Sequence, residues 1–448
     1  MLTMIQALDH ATDVVARAMR AGADGADAVA ASSASTQVAV RLGQVESIER
    51  SESSELGLRV FVGTRSASAS TSDLSSDAIA ALVERTTAMA RLAPEDPWSA
   101  LAPAELLAHG AFERFEADDG IDVDPAMLRT RALAAEDAAR AVAGVTNSEG
   151  GGASHGTGVT ALATSTGFAG AQGGGSHSTS ASVLAGEGAR MQRDYHYHSA
   201  RHLGDLDDAV MIGTEAGRRA VERLDPVRLK SGALSVVFDR RVASSLLGHF
   251  ASAITGSGIA RKTSYLLDRL GTRVFAPGVA IIDDPHRVRG MRSRAFDGEG
   301  LATRRIALID DGMLTQWIAE TASARQLGIA PTGHAARGVS GAPGAGTSNL
   351  HMAAGSVSVA GLIADIAHGF LVTELIGMGV NGLTGDYSRG ASGFRIVDGQ
   401  IAGPVAEVTI AGNLLDMFAR LVPADDLEFR AGTNAPTVRI DAMTLAGD

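Results

Sequence analysis

Apolar and polar positions alternate with period two through Gln37-Val38-Ala39-Val40-Arg41-Leu42, Val45 to Ile48, and Leu58-Arg59-Val60-Phe61-Val62. That period sends every second side chain to one face of a strand. The breaks at Gly43-Gln44 and Gly63-Thr64 read as hairpin turns, so residues 27–71 are predicted to form an antiparallel meander. Helical spacing flanks it. Residues 5–20 read as an amphipathic helix, and residues 75–92 as a second one closed by Ala93-Pro94. The segment 94–125, with Pro94, Pro97 and Pro103 and many acids, suits a connection. A third helix is predicted over 125–142. The Gly/Ser/Thr-rich stretch that follows keeps β character at Val159 to Ser165 and at Ser178 to Leu184. It is therefore read as strands with glycine turns rather than a flexible linker.

Further on, residues 206–224 read as a helix ended by Pro226. Leu234-Ser235-Val236-Val237-Phe238 is a short buried strand, and residues 240–254 form another helix. From about Gly278 the pattern is short strands with glycine turns, interrupted by helices near 319–327, 357–367 and 410–419. A chain of 448 residues is too long for one ordinary core. The predicted class is α+β, with an N-terminal α/β domain over 1–225 and a β-rich C-terminal domain over 226–448. A sub-boundary is expected near 94–125.

Composition narrows the function classes. Lys plus Arg total 39 and Asp plus Glu total 51, for a formal charge of −12. With no long basic block, nucleic acid is not an expected partner. No run of about 18 apolar residues exists, so no membrane partner is expected either. The N-terminus lacks a basic n-region, and Asp9 and His10 interrupt its apolar run, unlike a signal peptide. The cysteine count is zero, which removes disulfides and thiolate ligands and fits a cytoplasmic location.

Three patterns could carry chemistry. Ser244-Ser245-Leu246-Leu247-Gly248-His249 has the shape of a helical metal motif with one ligand-type side chain left. Serine is a poor zinc ligand, and no Glu lies in the stretch to act as a base. A lone His on an apolar helix is usually a packed core residue. His196 and His198 share one strand face, which is ordinarily solvated when no third ligand is evident. The glycine triplets at 150–152 and 173–175 lack the strand–loop–helix setting of a phosphate cradle. The third pattern is Asp386-Tyr387-Ser388-Arg389 within a glycine-framed segment. Asp386 and Arg389 could pair at turn spacing, Tyr387 could offer a hydroxyl, and Ser388 has no neighbouring His to activate it. A site wall facing peptide or partner and a plain ion-paired turn are both open at this point.

Longer motifs carry a family resemblance. Asn381-Gly382-Leu383-Thr384-Gly385-Asp386-Tyr387-Ser388-Arg389-Gly390 and Gly393-Phe394 resemble the signature of the TldE/PmbA branch of the TldD/TldE proteins. So do Pro404 to Leu414, Asp297-Gly298-Glu299-Gly300-Leu301-Ala302-Thr303-Arg304, Gly333-His334-Ala335 and Thr347-Ser348-Asn349-Leu350. The resemblance is dense through the C-terminal half. It extends more weakly through Gln192-Arg193-Asp194-Tyr195 and the meander. It implies a C-terminal domain of curved, barrel-like β-sheet with short helices.

The resemblance also implies a heterodimer with a TldD-type subunit, which carries a His-Glu-x-x-x-His helix and a distant Cys as its zinc site. Ser244 and Ser245 fall on that helix's first His and Glu, and His249 on its second His. The implied role is a non-catalytic subunit without a cofactor of its own. Peptides would be held extended in an enclosed cavity and cut at the partner's zinc. Self-association in the absence of the partner is also implied. Two other readings stay open: an independent metallopeptidase rebuilt around His249 with His334, His351 or Glu299, and a peptide-binding module that has no TldD-type partner.

Overall fold

The computed structural model describes residues 1–448. The meander is present as β1 (Gly25–Arg41), β2 (Gln44–Val62) and β3 (Arg65–Thr71). β1 and β2 pair in antiparallel register from Gly25↔Phe61 to Arg41↔Gln44. The turn between them has positive φ at both Leu42 (50°) and Gly43 (76°), the left-handed pair that matches strand twist in a tight hairpin. The strands β4 (Val145–Thr164), β5 (Ala169–Ala185) and β6 (Gln192–Ala200) complete a six-stranded antiparallel sheet of order β3-β2-β1-β4-β5-β6.

The glycine triplets lie inside strands. Gly151-Gly152 lie within β4 and Gly173 to Gly175 within β5, while the turn is at 165–168. A Cβ at Gly151 would fall 2.4 Å from the carbonyl oxygen of Ala132 on a covering helix. Glycine is used there so that backbone can rest on backbone.

Four helices cover the sheet in two pairs. The helix α1 (Met4–Arg20) starts with a capping box between Thr3 and Gln6. It packs with α2 (Ser76–Leu92) on Ala26, Ala28 and Ala30 of β1 and on Ala161 and Ala163 of β4. The second pair, α3 (Pro125–Arg140) and α4 (Ala209–Glu222), buries Ala135, Ala139, Ala216 and Ala220 against Ala181, Val183 and Ala185 of β5. Small side chains at the contacts let helices and strands approach closely, which explains how a chain poor in aromatics builds this core.

The C-terminal domain begins with β7 (Gly232–Phe238), followed by α5 (Arg240–Ala253). β7 is flanked by His368–Ile376 in parallel and Val438–Ala446 in antiparallel fashion. Strands Asp386–Val397 and Gln400–Asn413 continue the sheet, and Thr409↔Ala446 to Ala411↔Thr444 close it into a five-stranded barrel. The expected curved, barrel-like sheet is therefore present. The predicted helix over 410–419 starts late, at Leu414. Residues 410–413 are needed to end the barrel strand, and Asn413 caps the helix by accepting from Leu415 N–H. A second, five-stranded sheet packs beside the barrel. Between them α5 buries Ala243, Leu246, Leu247 and Phe250 in the molecule's largest apolar core. No helix is long and apolar enough to cross a membrane.

The two halves are joined by more than chain connectivity. Val29 and Leu162 of the first sheet and Phe168 in the turn between β4 and β5 pack with Phe296 and Leu301 of the second half. Beside them, Asp27 on β1 is bound by Arg59 on β2 and by Arg337 from the C-terminal domain. Gly57 lets the 337–339 segment lie flat on β2. A Cβ there would sit 1.6 Å from the carbonyl oxygen of Val339.

Candidate functional site

The helix α5 forms because Asp239 caps it, its carboxylate accepting from Arg241 N–H at 2.9 Å, and because Ala243, Leu246, Leu247 and Phe250 make one apolar stripe. The three motif residues on it do different things. The Ser245 hydroxyl donates to the Val242 carbonyl at 2.6 Å, so it is spent on its own helix. Ser244 opens onto a cavity between the domains. His249 is half-buried, with its ring edge-on to Tyr387 at 6.1 Å. Its Nε2 is buried without a hydrogen-bond partner, as is the Tyr387 hydroxyl. Burial, and then the nearby Arg389 charge, hold the imidazole below its ordinary pKa, so it is neutral at pH 7. Burial pushes the Tyr387 phenol well above its ordinary value.

The 386–389 segment is the start of a barrel strand rather than a turn. Strand alternation buries Tyr387 and exposes Asp386 and Ser388. Asp386 and Arg389 do not pair. The Asp386 carboxylate accepts from the Thr384 hydroxyl at 2.6 Å and from Asn413 Nδ2 at 3.2 Å, whereas Arg389 Nε donates to the Ile376 carbonyl at 3.4 Å. Residues three apart on a strand point to opposite faces, which is why turn spacing misleads here. The glycine at 379 has a steric reason: a Cβ would meet the Ser388 carbonyl oxygen at 2.0 Å. The structure thus brings His249, Tyr387 and Arg389 together and leaves Ser244 on a different wall.

Zinc does not fit the α5 positions. Two serines and one neutral His supply a single good ligand, and Ser245 has turned to its own backbone. The alternative ligands are engaged elsewhere. Glu299 accepts from Thr321 N–H and hydroxyl at 2.8 and 2.7 Å. His334 bonds through Nδ1 with the Thr332 carbonyl and lies 3.4 Å from Asp283, and His351 packs edge-on to Phe429. No group of three or more His, Asp or Glu side chains converges to hold a metal ion.

The cavity that Ser244 opens onto is the feature the sequence reading missed. It measures about 310 Å³ and lies between β6, α4, the start of α5 and the segment around Arg430. The expected solvated histidine face of β6 forms part of its wall. Arg219 Nη1 contacts His196 Nδ1 at 3.1 Å, and His198 Nδ1 accepts from Asp207 N–H at 3.1 Å. Tyr195 and Tyr197, at 40% and 51% exposure, border the same cavity. A signal was available in the arginine doublets 218–219 and 240–241, which come from elements far apart in the chain.

Comparison with known proteins sets these features in context. The PmbA/TldA metallopeptidase C-terminal domain matches residues 231–447, its domain 1 matches 26–90 and its central domain 118–224. Metalloprotease PmbA of Escherichia coli O157:H7 is 36% identical over 442 residues, covering 98% of this chain and 96% of that protein. A PmbA homologue of Haemophilus influenzae is 35% identical, covering 99% and 96%. A crystal structure from Bacteroides thetaiotaomicron, described as a candidate modulator of DNA gyrase, superimposes with a TM-score of 0.91 at 27% identity over 100% of both chains. TldE from Thermococcus kodakarensis shares the fold, with a TM-score of 0.86 at 19% identity over 98% of this chain and 100% of that one. Family domains along nearly the whole chain, together with close relatives of matching length, establish that this protein belongs to the PmbA/TldE family of metallopeptidases.

Proposed function

We propose that this chain is the non-catalytic TldE/PmbA-type subunit of a cytoplasmic, heteromeric metallopeptidase. Its role is to enclose short or unfolded peptides that are cut at a zinc on a TldD-type partner. The observation that carries this reading is α5: Ser244 and Ser245 stand where the partner-type helix has its His and Glu, and no cysteine exists to complete a zinc set. A bound zinc polarises a peptide carbonyl and activates water. This chain's residues supply walls, an interdomain cavity and an interface. Ile376 at the end of its barrel strand and Met378 and Leu383 in the loop after it are 58%, 87% and 59% exposed, which suits a partner contact of low charge. A permanent interface of this kind buries upward of about 2,000 Å².

The test is reconstitution. The purified chain is expected to hold no stoichiometric zinc by elemental analysis and to leave a fluorogenic peptide uncut. Mixed with a TldD-type chain it should form a complex that cleaves. Changing the partner's zinc-helix Glu to Gln should lower turnover by roughly 10²–10⁴-fold, the usual loss on removing a general base. One tightly held zinc per chain, released by His249→Ala, would overturn the reading.

His249 itself gives a second outcome. Its Nε2 makes no hydrogen bond, so truncation costs packing alone. His249→Ala should lower stability by about 1–2 kcal/mol and leave cleavage by the complex within about twofold. Loss of most turnover with an unchanged melting temperature would make His249 catalytic.

A further inference from the structure

We propose that the cavity beside Ser244 is a carboxylate subsite for the bound peptide, built on Arg240 and Arg430 and held closed by Glu428. The proposal rests on the peptide-enclosing role and names the group the cavity would recognise.

The cavity wall carries four guanidiniums, Arg219, Arg240, Arg241 and Arg430, and two carboxylates, Glu215 and Glu428, while Asp194 and Asp207 pair with two of the arginines from behind the wall. Two of the four are committed. Arg219 is paired with Glu215 at 2.6 Å, and Arg241 grips Asp194 at 2.8 Å. The other two converge on one carboxylate. Arg430 Nε donates to one Glu428 oxygen at 2.8 Å, and Arg240 contacts the other. Arg240 has no other acidic partner, and Arg430 also reaches Asp207 at 2.5 Å.

Glu428 therefore occupies a seat shaped for a carboxylate, with a guanidinium on each oxygen. It is also a weak occupant. Side-chain exposure is 38% for Arg240, 38% for Arg430 and 42% for Glu428. Solvent screens exposed pairs of this kind, so an incoming carboxylate can replace Glu428 at little cost. On the same wall His196 is pushed down to about 4, by burial first and then by Arg219, with Glu215 opposing. Beside the seat, the stacked rings of Tyr195 and Tyr197, 6.2 Å apart, offer apolar faces to the neighbouring peptide residues. A peptide carboxylate comes either from a C-terminus or from an acidic side chain.

Titration calorimetry on the full chain separates the cases. Three N-acetylated octapeptides of alanine and valine serve as probes: one with a free C-terminal carboxylate, the same peptide amidated, and the amide with one internal glutamate. At least one carboxylate-bearing peptide should bind roughly tenfold tighter than the neutral amide, and which one does so identifies the source. Arg240→Gln should reduce that preference to less than about twofold without changing amide binding. Glu428→Gln should do the reverse and strengthen carboxylate binding, a gain that a misfolded variant cannot produce. Equal binding of all three peptides to the wild type, or an Arg240→Gln protein that keeps the preference, overturns the subsite but leaves peptide binding standing. No binding of any peptide at about 1 mM overturns both readings.

Discussion

Replacing Asp27 with asparagine is expected to lower stability by about 3–5 kcal/mol, the usual cost of stripping one partner from a buried ion pair. Asp27 is 1% exposed and lies directly opposite Arg59 in the β1–β2 register. Arg59 Nε lies 3.0 and 3.2 Å from its two oxygens. Arg337 arrives from the other domain, with its side chain 1% exposed. Burial works against the Asp27 charge, but the two guanidiniums outweigh it and hold the carboxyl below its ordinary pKa. Asparagine would leave two buried guanidiniums without an ion-paired carboxylate, with only the field of Glu299 to offset them. Arg337→Met should cost less, because Asp27 keeps Arg59 and a methionine can fill the space. Urea unfolding of the three proteins checks the order. A loss under about 1 kcal/mol for Asp27→Asn would show that the network is solvated and does not fasten the domains.

That network marks where sequence reading stopped. The meander, α1, α2 and α5 were legible because each follows a local period: two for the strands, 3.6 for the helices, with caps at Thr3, Ser75 and Asp239. The barrel was legible only through resemblance, since its closure depends on Ile410 meeting Leu445 and no local period encodes a partner 35 residues away. The glycine-rich strands are legible from their β-forming residues, but the need for glycine inside them is not. What Gly151 meets is Ala132 on another element, and single-chain patterns do not show it. The α5 site was visible as three letters out of place. The cavity next to it was not, because Arg219, Arg240 and Arg430 come together only after both domains fold and dock. Likewise, Asp386 and Arg389 looked like a pair because spacing was read as a turn, whereas the strand sends them to opposite faces.

Glu299 gives the second large effect, and its sign is set by burial. It is 3% exposed, and burial, followed by the adjacent Asp297 charge, raises its pKa to about 7 against the opposing hydrogen bonds from Thr321. A carboxyl near 7 in a cleft would suit a general base. This one is locked onto Thr321 and belongs to the packed turn that receives Arg337's segment, where Gly298 N–H donates to the Ala335 carbonyl. The unfolded chain releases this proton near pH 4.5 and the folded chain near 7. Between those values the folded state holds more protons, so the group's contribution falls as pH rises, by about 3 kcal/mol in all. Glu299→Gln removes the charge while its amide oxygen can still accept from Thr321. The variant should match the wild type near pH 4.5 and exceed it by up to about 3 kcal/mol at pH 8. Histidines with lowered pKa, such as His196, oppose this trend in both proteins and cancel in the difference. Urea unfolding at pH 5 and pH 8 reads it directly. A difference between the two proteins that does not grow with pH would mean that Glu299 is already ionised and compensated in the fold, and its raised pKa would then have no structural consequence.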